Sequence, residues 1–246
     1  FIAQYATWIA GIFTFDLGKS YQVGGEISSL VSFGLVHTIL LTVTALILAV
    51  LLALALSLSA TIYDNRFVNS LVTGVNAVAI AVPTFVVSTL LILLFGVRWR
   101  ILPAGGTPPD GLFSQPGITA QYLLLPAVAL ALPAGATLAR FLTEALRAEL
   151  RQPYATTARA LGVSKRDIVI HSALRNALPP SITALGLVTG GLLGGAILVE
   201  AIFGWPGLGL LTEQGIFARD YPLVQVLVLL SAAVFTPRCS SPNVSV

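Results

Sequence analysis

The chain has 246 residues, of which 56% are hydrophobic and only 9% charged, and its mean hydropathy is +0.92. A soluble domain carries about 25% charged residues, so this composition excludes a water-soluble globule and points to a polytopic α-helical membrane protein. The net charge of +3 comes without any stripe of basic residues and interleaved aromatics, which excludes a nucleic-acid binder, and the single cysteine, Cys239, excludes an internal disulfide or a cysteine metal site.

Residues 1–34 are mixed and read as an external or interfacial segment. Tyr5 and Trp8 suit a membrane interface. No methionine stands at Phe1 or anywhere else, so the true start is expected to be missing. The run Gly18-Lys19-Ser20 invites a nucleotide-binding reading, but a phosphate-binding loop needs a glycine five residues before Gly18, where Phe13 stands; a surface turn is expected. The first clear apolar run, Leu35 to Ile62, is long enough to span a bilayer. His37 at its edge reads as interfacial packing. After a short polar loop, a second span is expected from Val68 to Phe95, kinked at Pro83. A loop rich in proline and glycine follows, from Val97 to Ala120. A third span, Gln121 to Thr143, carries Pro126 and Pro133 and is expected to be irregular.

Glu144 to Pro180 is the longest charged segment. It holds Arg147, Arg151, Arg159, Lys165, Arg166 and Arg175. Its pattern reads as helix, turn, helix: Ala155 to Leu161 contains no breaker, Gly162 allows a sharp turn, and Ser164 can cap a second helix. A fourth span is expected from Ser181 to Phe203. Gly186, Gly190 and Gly194 recur every four residues, as do Gly191 and Gly195, which lays bare backbone along one face where another helix can approach. Glu200 lies close to Phe203, Trp205 and Pro206 and reads as an interfacial carboxylate. Gly204 to Asp220 reads as a compact re-entrant or surface element. The last apolar run, Tyr221 to Phe235, is short for a span, and the chain turns polar from Thr236.

Alternate loops share a side of the membrane. The loops at 62–67 and 144–180 carry seven Lys and Arg, against four in 1–34, 97–120 and 204–220. The excess of cations on cytoplasmic loops then places the 144–180 segment in the cytoplasm. No Walker motif, metal-ligand spacing, nucleophile elbow or redox pair is present, so no enzyme activity, cofactor or metal is expected. Intramembrane charges are too sparse for a typical proton-coupled carrier.

The segment from Thr156 to Gly162, followed by His171-Ser172-Ala173-Leu174, resembles the "EAA" loop of permease subunits in bacterial ABC importers, with Gly162 and Leu174 at its characteristic spacing. Tyr154 to Pro180, Phe15 to Tyr21, Ile202 to Gly209 and Ile216 to Gln225 together look like the branch that imports dipeptides, oligopeptides, nickel or glutathione. Thr156 and Thr157 replace the first two loop positions and Arg175 the closing proline, departures which that branch tolerates. The resemblance implies an all-α type I importer permease with about five spans, its first span missing and its last truncated. The permease domain would cover 35–238 with a coupling loop at 144–180, followed by an atypical polar tail at 239–246. The implied partners are a second homologous permease, two cytoplasmic ATP-binding subunits, an extracytoplasmic ligand-binding protein and membrane lipid. ATPase coupling would fall to Ala155, Thr156, Thr157, Ala158, Arg159, Gly162, Lys165, Arg166, His171 and Leu174, and helix packing to the five glycines named above. A carrier working alone is the rival reading, but no internal repeat supports it.

Overall fold

The computed structural model describes Gly11 and residues 17–63, 65–112 and 114–235. The expectations for Phe1 to Phe15 and for the polar tail with Cys239 lie outside the described residues. Helices dominate: α1 (Ile27–Tyr63), α2 (Arg66–Ala81), α3 (Thr84–Leu91, continued by a π-helical turn over Ile92–Arg98), α4 (Pro116–Glu149), α5 (Pro153–Ala160), α6 (Lys165–Ile168, continued by a π turn over Val169–Ala173), α7 (Leu174–Phe203), α8 (Leu208–Phe217) and α9 (Tyr221–Phe235). The β structure among the described residues is an isolated bridge between Lys19 and Glu26.

Among the described residues, three helices are long and apolar enough to cross a membrane: α1, α4 and the continuous rod Lys165–Phe203. α2 and α3 make a fourth crossing if taken together, bent by 100°. The bend has a local cause. The residue before a proline is driven out of the helical region, and Val82 duly sits at φ −81°, ψ 122°, ending α2 before Pro83 opens α3.

The core shows the inversion expected of a chain solvated by lipid. On α1, Leu41, Ala45, Ala49 and Ala53 recur every four residues and are buried, whereas Ile39, Val43, Ile47 and Leu51 are exposed. Small residues face the protein because close backbone approach drives packing in hydrocarbon. The alanine row meets Ala127, Ala131 and Ala134 of α4 in the main core. Gly135 leaves no room for a side chain, since an added Cβ would come within 2.8 Å of Leu52 Cδ2 and 3.0 Å of the Ala49 carbonyl on α1.

Two expectations need correction. α4 is one helix of 34 residues despite Pro126 and Pro133. An interior proline costs about 3 kcal/mol, and burial of Leu123, Leu125, Pro126, Leu130 and Leu138 outweighs it. The segment 144–180 is not a loop throughout: α4 runs on to Glu149, and from Lys165 the chain is already helical into α7 through Pro179 and Pro180. Ile168, Val169, Ala173 and Ala177 bury one side of that stretch against Leu142 and Leu146 of α4 and Leu150 just beyond its end, which holds it helical across the prolines.

Candidate functional site

The basic end of the bundle carries the hairpin. α5 opens with Pro153 at a first-turn position, where its missing N–H is no loss. It closes in a Schellman motif: Val163 N–H donates to the Ala158 carbonyl at 3.0 Å and Gly162 N–H to that of Arg159 at 3.0 Å. Gly162 takes φ +85°, as the motif requires. Ser164 then caps α6, its Oγ accepting from Asp167 N–H at 3.1 Å and donating to the Asp167 carboxylate at 2.5 Å.

The hairpin is fastened to the bundle from beneath. Ala155 is fully buried with the Ile168 and Val169 side chains against α4. The Tyr154 hydroxyl donates to Glu149 Oε2 at 2.8 Å, and Arg159 Nη2 to the Leu150 carbonyl at 3.3 Å. Burial, with the Glu149 carboxylate beside it, pushes the Tyr154 pKa up, so this hydroxyl stays a neutral donor.

Thr156, Thr157, Arg159, Gly162, Arg166 and His171 are exposed, and Ala158, Lys165 and Leu174 are half-buried. The Ala155 expectation is corrected: it offers no docking surface because it is the residue that seats α5 on the bundle. The tip adds two residues the sequence did not single out. Leu161 is 79% exposed and Val163 43%. The tip of an otherwise polar hairpin therefore presents two apolar side chains.

The opposite end is a clamp. Glu200, on the last turns of α7, has no accessible surface. Its Oε1 accepts from the Thr38 hydroxyl of α1 at 2.7 Å and its Oε2 from Gly209 N–H at 2.6 Å. Thr38 Oγ1 in turn accepts from Leu208 N–H at 2.8 Å. α8 has no side-chain cap at Gly207, so Glu200 and Thr38 satisfy its orphan amides from other helices. An added Cβ at Gly207 or Gly209 would overlap the Glu200 carboxyl, which explains both glycines. Trp205, fully buried, donates from Nε1 to the His37 carbonyl at 3.1 Å and stacks edge-on against the His37 ring. Gly106 N–H donates to the Phe203 carbonyl at 2.7 Å, closing the proline-rich loop over the same corner.

A second latch lies beside it. The Ser20 hydroxyl donates to Asp220 Oδ2 at 2.5 Å, and Gln22 N–H donates to the same oxygen at 3.0 Å. Burial alone would raise the Asp220 pKa, but the Ser20 hydroxyl and the amides of Gln22, Leu223 and Val23 outweigh it and hold the carboxyl below its ordinary range. Gly18-Lys19-Ser20 is not itself the expected surface turn: Lys19 bridges Glu26, the bends fall at Tyr21–Val23, and Ser20 is buried. Glu200 is likewise corrected from interfacial to fully buried.

The glycines of α7 divide. Gly190 is buried, Gly194 and Gly195 half-buried, and Gly186 and Gly191 exposed. An added Cβ would meet nothing within 4 Å at Gly186 or Gly191 and would reach Leu130 at 3.4 Å at Gly195. Among the described residues no cluster of three or more His, Cys, Asp or Glu could hold a metal ion.

The model of the family described as "Binding-protein-dependent transport system inner membrane component" matches residues 45–241. A putative peptide permease protein of Brucella suis biovar 1 (strain 1330) is 32% identical over 94% of this chain and 72% of its own. The glutathione transport system permease protein GsiC of Escherichia coli (strain K12) is 33% identical over the same shares. The fold is that of solved ABC importer permeases. The MetNI methionine ABC transporter in an inward-facing conformation gives a TM-score of 0.68 at 19% identity over 83% of this chain and 89% of that one. An amino acid ABC transporter solved with histidines gives 0.65 at 18% identity over 84% and 88%.

Proposed function

The chain belongs to the family of binding-protein-dependent transport system inner membrane components, and from that membership we propose that it is one of two paired permeases through which an ATP-driven importer moves short peptides, glutathione included. An external binding protein delivers the ligand. Two ATP-binding subunits dock on the cytoplasmic side, at the basic end. The hairpin is the coupling element. Leu161 and Val163 enter a groove on an ATPase, Thr156, Thr157 and Ala158 allow close approach, and Arg159, Lys165 and Arg166 pair with acidic groups there. His171 and Leu174 begin the rod that carries the movement into the membrane, and closure of the ATPases switches access by alternating between two packings.

One observation carries this reading: the hairpin buries Ala155 against the bundle while presenting Leu161 and Val163 to solvent. It is rigidly held yet has an apolar tip with no cover of its own. Gly162→Asp tests it. An added Cβ meets nothing within 4 Å, but φ +85° costs a side chain about 1–2 kcal/mol and distorts the turn. Leu161→Ala removes the tip without backbone strain. Both variants should reach the membrane in normal amount, and ligand should no longer stimulate ATP hydrolysis. Normal stimulation in Leu161→Ala would sink the coupling role.

A further inference from the structure

The elbow between α2 and α3 holds two cavities that join. In the bend lies an apolar groove of about 800 Å³, walled by Phe67, Leu71 and Val78 of α2 and by Leu90 and Leu94 of α3. Toward the basic end lies a polar cavity of about 820 Å³, lined by Arg66, Asn69 and Thr73 of α2 and by Arg147 of α4. Ser70 and Gly74 line both, so the two are continuous across the surface of α2. No acidic side chain among the described residues lines either one. Arg147 Nη2 donates to Asn69 Oδ1 at 3.4 Å, which uses one of its five guanidinium N–H donors, and Arg147 also borders an adjoining cavity lined by Arg140 and Glu144.

An apolar helix from another protein would fill the groove and leave both guanidinium groups unmatched. A free anion would satisfy the cations and leave the groove empty. An amphiphile with an anionic head and a hydrocarbon tail fits both halves. The cation excess on this side also places the cavity at the cytoplasmic leaflet, where Lys and Arg attract acidic headgroups. We propose that the α2–α3 elbow binds one anionic phospholipid of the inner leaflet, its phosphate on Arg66 and Arg147 and an acyl chain in the groove past Gly74.

Gly74 supplies a clean block, because an added Cβ there meets nothing within 4 Å. Leucine at that position would enter the groove without displacing protein, and it favours the helix more than glycine does. The complete transporter, purified in mild detergent, is titrated with phosphatidylglycerol or with phosphatidylcholine of the same acyl chains, and bound lipid is read by native mass spectrometry. The wild type should retain phosphatidylglycerol in preference. Arg66→Gln with Arg147→Gln should weaken it about thirtyfold, the loss of two headgroup cations, and should weaken phosphatidylcholine, whose phosphate is offset by its own choline cation, much less. Gly74→Leu should weaken both lipids. Glycerol phosphate without chains should compete poorly. Equal retention of the two lipids, or indifference to the double arginine variant, overturns the proposal. Displacement by glycerol phosphate as effective as by intact lipid assigns a simple anion site and overturns it too. So does a Gly74→Leu transporter that loses its second permease but keeps its lipid, since the groove is then a subunit contact. None of these readouts depends on which ligand is imported.

Discussion

Replacing Glu200 by alanine leaves two donors unmatched at the far end of the rod. The Thr38 hydroxyl and the Gly209 amide lie 2.7 and 2.6 Å from the two carboxyl oxygens, and Glu200 is fully buried. Each orphaned buried donor costs about 1–3 kcal/mol, so the pair costs about 2–6 kcal/mol. Glutamine is a milder change. Its amide oxygen can keep the Gly209 bond, while Thr38 turns its proton away and accepts from the amide nitrogen, for a loss of about 1–2 kcal/mol. At about 2–4 °C per kcal/mol for a chain of this length, alanine should lower the melting temperature of the purified transporter by about 10 °C and glutamine by about 4 °C. The assay is thermal unfolding in detergent, with uptake measured in parallel in lipid vesicles. An alanine variant that melts with the wild type, or a glutamine variant as damaged as alanine, would refute the clamp.

The other expectations follow from the same contacts. Gly209→Ala should be as damaging as Glu200→Ala, because the new Cβ would overlap both the Ile197 backbone and the Glu200 carboxyl; thermal unfolding checks it. Asp220 has its folded-state pKa depressed, so its contribution is complete above its unfolded value of about 3.9 and is lost as pH falls through the lower folded value. Melting curves below about pH 4 should therefore fall more steeply for wild type than for Asp220→Asn. Ser164→Ala removes the cap of α6 and should cost about 1 kcal/mol, seen as weaker ligand-stimulated ATP hydrolysis with normal membrane insertion.

What the sequence disclosed was local. Apolar runs located the spans, proline's lost donor and clash located the kink at Pro83, and Gly162 with Ser164 located the hairpin turn. Long-range polar pairing left no such trace. Glu200 and Thr38 are 162 positions apart, Ser20 and Asp220 are 200 apart, and each residue alone resembles an interface side chain. Trp205 and Pro206 beside Glu200 favoured water, whereas the chain folds back over them and buries Trp205 completely. Ala155 was misjudged because alanine, threonine and threonine are all small, and in a helix of eight residues their identities alone do not tell a seated side chain from a free one. The fourth span was expected only from Ser181, because local propensity cannot foresee the packing of Ala173 and Ala177 that carries the helix through Pro179 and Pro180.

The run from Lys165 to Phe203 is one piece of 39 residues, about 58 Å at 1.5 Å per residue. It starts at the hairpin and ends at Glu200. Such a shaft acts as a lever: a tilt of about 5° about its midpoint carries its two tips about 2.5 Å in opposite directions. The π turn at Val169–Ala173 lies close to the hairpin end, so under the proposed coupling role a push at one face of the membrane would be carried along this helix to the other.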